Sequence, residues 1–331
     1  MSEIAHLGPV ELLTPKPAES LGFFADVLGM EIEGRAGQSV FLRGWGDYQR
    51  FSLQLTEAPT SGLRMLGLRA WSREALERRV AAVEASGLGE GWSDGGRGRG
   101  PSYRFRDPDG HAFELYHEVE RYTPPPHLVP SLKNQPQRYV GRGAAVKRLD
   151  HVNLLAADVR ANRHFATDAL GYRLYERVEL DDGTESGAWM SASIAAHELI
   201  YTADAYRANG RLHHLAFWVD TREEVLRAAD LFLDHDVHIE AAPSKHAVAQ
   251  GFFLYGYEPG GNRIEVTTGG YFVYAPDQPV VTWTEDERRL GQAWRVKTVP
   301  TFHTYGTPPV DPPAEAPDDG VRAVDASRGS Y

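Results

Sequence analysis

Val152-Asn153-Leu154-Leu155 in the second half of the chain repeats Val10-Glu11-Leu12-Leu13 in the first. Each is an apolar segment of strand type, followed by a helical pattern that ends in Leu-Gly, at Leu28-Gly29 and Leu170-Gly171, with an alternating segment behind it. A second pair of matches lies further along. Ser72-Arg73-Glu74 corresponds to Thr221-Arg222-Glu223, each opening a helix. Thr221 and Glu224 are spaced for a capping box, and Val225, Ala228, Ala229, Phe232 and Leu233 fall at core-facing helical intervals. Each half closes on a turn and a strand: Asp107-Pro108-Asp109-Gly110 before Phe113-Glu114-Leu115, and Glu258-Pro259-Gly260-Gly261 before Ile264-Glu265-Val266. The chain reads as an α+β protein of four βαβββ modules, two per half.

Tyr122 is followed by Pro124-Pro125-Pro126 and a polar stretch that runs to Lys147. This predicts an N-terminal domain over 1–122, a linker over 123–146 and a C-terminal domain over 147–275. Residues 276–331 are expected to form a covering segment and then a tail that is mobile or draped over the surface, without chemistry beyond about Gly306. The 331 residues are 42% apolar and 11% aromatic, as a folded protein requires. Acidic residues outnumber basic ones by 46 to 35, and a net charge of -11 repels phosphate backbones and anionic membrane surfaces. No nucleic-acid or membrane partner is expected, and the absence of a signal-like or spanning segment predicts a cytoplasmic protein. With no cysteine, a metal has to be held by imidazole and carboxylate.

His151, His214 and Glu265 supply such a set from three predicted strands. If Val152, Leu154, Leu215, Phe217, Ile264 and Val266 face the apolar layer under the helices, alternation turns all three to the other face of the sheet. A curled sheet would gather them. Two imidazoles and one carboxylate leave adjacent coordination positions open, which suits Fe(II), with Mn(II) as an alternative. A lone strand histidine is more often an ordinary hydrogen-bonded residue. The comparison of halves changes the balance, because the first half has Pro9 in place of His151 and Met65 in place of His214 while keeping Glu114 in place of Glu265. One live and one dead site is the economical reading. Trp189, His197, His246 and Tyr255 gather in the same half. His164, His235, His238 and His303 read as ordinary polar positions, and alternation points His213 away from the site.

The sequence resembles the type I extradiol ring-cleaving dioxygenases of the vicinal oxygen chelate superfamily, nearest to the homoprotocatechuate and catechol 2,3-dioxygenase branch, over about residues 1 to 300. The likeness rests on Asp150-His151-Val152-Asn153, the step from Trp189 to His197, His213-His214-Leu215-Ala216-Phe217, the ladder His246, Tyr255, Glu265, and Thr282-Trp283 with Arg288-Arg289. It implies that His151, His214 and Glu265 hold iron, that His197 acts as acid and base beside oxygen, and that Asn153 and Trp189 line the oxygen pocket. His246 and Tyr255 would hydrogen-bond the substrate, a small aromatic diol cleaved by O2. The segment Thr284 to Trp294 would cover the site, and a homo-oligomer is expected. Family members that take carboxylated catechols carry an arginine where this chain has Ala241, although Lys245, Arg288 and Arg289 are near. Glyoxalase-type isomerisation, keto-acid dioxygenation and non-catalytic small-molecule binding are the competing functions on such modules.

Overall fold

In the computed structural model, residues 3–275, 277–288, 292–294 and 298–310 are described; Arg289 and residues 311–331 lie outside them. The first half forms β1 (Ile4–Thr14), α1 (Pro17–Gly22), β2 (Glu31–Ala36), β3 (Ser39–Arg43), β4 (Leu53–Glu57), β5 (Gly62–Ala70), α2 (Arg73–Ala85), β6 (Gly89–Ser93), β7 (Ser102–Arg106) and β8 (Ala112–Tyr116). The second forms β9 (Arg148–Ala156), α3 (Val159–Asp168), β10 (Arg173–Glu179), β11 (Glu185–Ser191), β12 (Leu199–Ala203), β13 (Arg211–Trp218), α4 (Arg222–Asp234), β14 (Ile239–Lys245), β15 (Gly251–Tyr257) and β16 (Arg263–Gly269). The chain continues through β17 (Val281–Thr284), α5 (Glu285–Arg288) and α6 (Thr301–Thr304). Four βαβββ modules follow one another, as the repeats require.

The strand orders are β2-β3-β4-β1-β5-β8-β7-β6 and β14-β15-β16-β13-β9-β12-β11-β10-β17. In every module the first strand runs parallel to the last, and the two modules of a half join through their first strands, β1 against β5 and β9 against β13. Register makes the duplication explicit. Val10 faces Leu66 as Val152 faces Leu215, and Gly67 faces Glu114 as Ala216 faces Glu265. Pro9, Met65 and Glu114 therefore stand where His151, His214 and Glu265 stand in the other sheet.

Helix starts follow the capping residues. Ser72 accepts from the Ala75 N–H, and Thr221 with Glu224 makes both bonds of a capping box. Val225, Ala228 and Phe232 of α4 are fully buried, whereas Leu233 is 66% exposed, contrary to the expected apolar stripe. Eight residues at about 100° each put Leu233 some 80° round the helix from Val225, at the margin of the buried face. The apolar layer is continuous between the halves: Phe23 packs on Phe232 at 5.7 Å, Phe24 on Phe217 at 6.1 Å and Phe105 on Phe165 at 5.8 Å. Each such ring contributes about 1.5–3 kcal/mol by burial. Val152, Leu154, Leu215, Phe217, Ile264 and Val266 all lie in this layer, which leaves the opposite face of the second sheet for polar side chains.

That face is closed by the C-terminal chain. β17 pairs with β10 at one edge of the sheet, while the Ala293 N–H bonds to the Lys245 carbonyl and Gln292 bridges to His246 at the other. Beyond it, the residues just after Gly306 are pinned to β13. Leu212 and Thr307 exchange backbone bonds of 2.7 and 2.9 Å, and Arg211 donates to the Gly306 and Pro308 carbonyls. The segment lacks periodicity because its partners are carbonyl-binding arginines, not an apolar face.

Candidate metal centre

His151 on β9, His214 on β13 and Glu265 on β16 come from three adjacent strands and are 3%, 2% and 1% exposed. Ala216 lies directly between His151 and Glu265 in register. Its methyl group leaves room for the longer side chains on either side to converge over it, a position that alternation alone did not single out. The Nε2 atoms of His151 and His214 are 3.1 Å apart, and each is 3.1 Å from Glu265 Oε2. Three donors at these mutual distances form one triangular face of an octahedron with arms of about 2.2 Å, the bond length expected for imidazole and carboxylate on a first-row divalent metal. The residues present fit such an ion. Asp150, His151 and His197 also lie close enough to share a cation. Asp150 is already committed, however, to Arg148 at 2.8 Å and to His151 at 2.9 Å.

Two β-bulges aim the imidazoles. Between β9 and β13 the register slips at Asp150 and again at His213, so each is an extra residue in its strand. Asp150 Oδ2 accepts from His151 Nδ1, and His213 Nδ1 lies 2.6 Å from His214 Nδ1. His213 thus turns toward the site, correcting the reading from alternation, which a bulge interrupts. The protons can be placed by elimination. The Phe302 carbonyl, 2.7 Å from His213 Nε2, can only accept, so His213 donates there and accepts at Nδ1 from His214. Nε2 of His214 is left as a lone pair facing Glu265, the form a ligand needs.

Electrostatics agree with a cation-shaped gap. Burial lowers His214 to about 4 and His213 well below its ordinary value, so both are neutral. His151 is raised to about 9: burial opposes its charge, but Glu265 and Asp150 outweigh burial, and in the metal-free protein this imidazole carries the positive charge. Burial likewise opposes ionisation of Glu265, yet the charged and hydrogen-bonded His151 imidazole holds it well below the usual carboxylate range.

The remaining predicted residues surround this triangle. His197 packs edge-on to His151 at 4.4 Å, and burial together with His151 lowers it to about 3. Its Nδ1 and the Oδ1 of Asn153 are buried without a partner. Tyr255 Oη donates to Glu265 Oε2 at 2.9 Å and accepts from His246 Nε2 at 3.0 Å, while His246 stacks on Phe253 at 3.9 Å. Asn153, Trp189, His197, His246 and Tyr255 line one cleft with the three candidate ligands. Val178, Ile200, Val248, Trp283 and Phe302 give it an apolar wall, and Arg288 and Gln292 of the covering chain also border it. His303, read from sequence as an ordinary polar residue, lines the cleft too and is lowered by burial to about 4. Phe302 and His303 were invisible to pattern reading because they lie some ninety residues from His213 on a segment without periodicity.

Over residues 4–115 and 148–266 the sequence matches the Glyoxalase/Bleomycin resistance protein/Dioxygenase superfamily. The chain belongs to that superfamily. Within it, the chain is 42% identical over 309 residues to a metapyrocatechase of Geobacillus stearothermophilus, covering 92% of this chain and 94% of that protein. It is 35% identical over 297 residues to a manganese-dependent 2,3-dihydroxybiphenyl 1,2-dioxygenase of Geobacillus genomosp. 3, covering 88% and 94%. The anaerobic substrate complex of homoprotocatechuate 2,3-dioxygenase from Brevibacterium fuscum superposes with a TM-score of 0.81 at 28% identity, covering 92% of this chain and 93% of that one.

Proposed function

We propose that this protein cleaves a catechol-type ring by the extradiol (meta) route, with O2, at a non-haem Fe(II) centre held by His151, His214 and Glu265; Mn(II) suits the same donors. The observation that carries this reading is the triangle of donors at 3.1 Å, open on the cleft side beside two unpartnered polar atoms on His197 and Asn153. A metal held by His151, His214 and Glu265 would supply Lewis acidity toward the diol oxygens and a path for electrons between the ring and O2. Apolar walls orient the ring and exclude water. His246 and Tyr255, hydrogen-bonded to each other, are placed to hold the ring oxygens. His197, neutral when buried, can take a proton released by the diol and return it to oxygen as the O–O bond breaks. Both oxygen atoms enter the product, a semialdehyde muconate.

Ala241 packs in an apolar cluster with Phe253 and Tyr255, which supports an uncharged or alkyl-substituted ring. The division into an N-terminal domain without a metal site, over 1–122, and a catalytic domain over 147–275, joined by 123–146 and covered by part of 276–331, accords with the two sheets. The reading extends to action in the cytoplasm as a homo-oligomer, with the net charge of -11 disfavouring nucleic acid and anionic membranes as partners. Among the described residues no helix is long and apolar enough to cross a membrane.

The test is to supply the anaerobically loaded protein with a panel of catechols while recording oxygen uptake and visible absorbance. One O2 per catechol and a yellow product are expected. A cis,cis-muconate, or no uptake with any catechol, would overturn the proposal, and tight binding without turnover would favour a binding protein.

A further inference from the structure

The open side of the second sheet lies between its edge strands β14 and β17, and beside β17, on β10, three separate stretches of chain meet on one side chain. Glu176, on β10, is 2% exposed. Its Oε1 accepts from the Ala249 N–H and from Tyr271 Oη, each at 2.7 Å, and its Oε2 accepts from Trp283 Nε1 at 2.7 Å. Ala249 belongs to the turn between β14 and β15, three residues beyond His246, and the two intervening residues line the cleft. Trp283, on β17, lines it from the covering chain. The turn is one that side chains other than glycine rarely adopt, with Ala249 at φ 55° and Gln250 at φ 58°. Such a turn persists where surrounding bonds fix it.

A carboxylate is costly to bury unless charge-assisted hydrogen bonds compensate it. Sheet pairing does not require this one, because β10 is already laddered to β11 and β17 through the backbone. What its donors share is position: two of the three belong to segments that line the cleft from opposite edges of the sheet.

We infer that Glu176 is a positioning residue that fastens the two edges of the curled sheet together, coupling the His246 turn to the Trp283 strand and thereby setting how tightly the aromatic ring is retained. This rests on the cleft being the catechol site proposed above. In Glu176→Gln one carboxylate oxygen becomes an NH2 group that cannot accept from Trp283 or Ala249, while size and shape stay the same.

The experiment is hydrogen exchange on the metal-loaded full-length protein together with steady-state kinetics on catechol. In Glu176→Gln, exchange at Ala249 and at Thr282–Thr284 should quicken about tenfold, the effect of losing one charge-assisted bond. Exchange in β9 and β13 should stay unchanged, metal should be retained, and KM should rise by a similar factor while kcat changes less. Trp283→Phe should loosen β17 alone and leave the Ala249 turn protected. Unchanged exchange at both stretches in Glu176→Gln, acceleration spread equally through β9 and β13, or an unchanged KM would overturn the inference. Failure of the unaltered protein to consume O2 with any catechol would instead refute the functional reading, and the exchange result would still decide whether Glu176 fastens the edges.

Discussion

Glu265 and Glu114 stand at the same register position in their two sheets, opposite Ala216 and Gly67, yet each faces a different cation. Glu114 pairs with the guanidinium of Arg99 at 2.6 Å, an arginine side chain only 10% exposed, whereas Glu265 faces two imidazoles. The first sheet answers its buried carboxylate with a side chain; the second leaves the answer to a metal.

Substitution of the two carboxylates should therefore separate metal binding from stability. Glu265→Gln should lose metal and turnover with the fold intact, because the anionic donor is gone. Glu114→Gln should keep metal and turnover but lose about 3 kcal/mol, since Arg99 is left buried without its counter-charge. Metal per chain and urea midpoints check both. A loss of metal confined to Glu114→Gln would put the site in the other sheet.

His213→Phe tests the proton placement at the second bulge. It removes the acceptor for His214 Nδ1 and the donor to the Phe302 carbonyl in one change. Metal should leave about 10- to 100-fold faster in competition with a chelator, the usual cost of losing such a supporting bond to a metal-bound histidine. His213→Gln, which can both accept and donate, should recover part of the loss. Equal release rates for all three proteins would mean that His213 only fills space.

His197→Phe should arrive with its metal, because His197 lies outside the donor triangle. Turnover should fall by roughly 100- to 10,000-fold, as when an acid-base group is removed. A metal-free variant would instead make His197 a ligand, in the alternative grouping with Asp150 and His151.

A pH effect is expected away from the metal, where the halves meet. Burial alone would depress His111, but Asp107, 2.7 Å from its Nδ1, outweighs burial and raises it above its ordinary value. The other ring nitrogen donates to the Arg211 carbonyl at 3.1 Å. A raised folded-state pKa means that this contribution is complete below the unfolded value of about 6.5 and is lost as pH climbs through the folded value. The urea midpoint should thus decline above neutrality, and His111→Gln should flatten the decline. An unchanged slope in that variant would remove His111 as its source.

Periodicity exposed the modules because the strands alternate and the helices are capped by Ser72 and Thr221, features that each segment carries in its own sequence. Alternation also turned His151, His214 and Glu265 to one face, where the register places them. It failed at His213, because a bulge is a relation between two strands and leaves no mark in either alone. It failed at Leu233 for want of a neighbour to say where the buried stripe ends. Phe302, His303 and Glu176 were out of reach for the same reason: their partners are far away in sequence, and most are single polar atoms.

The order of residues along the chain has a consequence for how the centre is filled. All three donor side chains precede residue 266, whereas the segments that cross the open side follow residue 280. A chain made from its N-terminus onward passes through a stage in which the donor set is complete and unroofed. An ion arriving then meets an uncovered donor set, whereas in the finished protein Trp283, Arg288 and Gln292 of the covering chain border the cleft. Metal identity would then be set by what is available during synthesis more than by later equilibration.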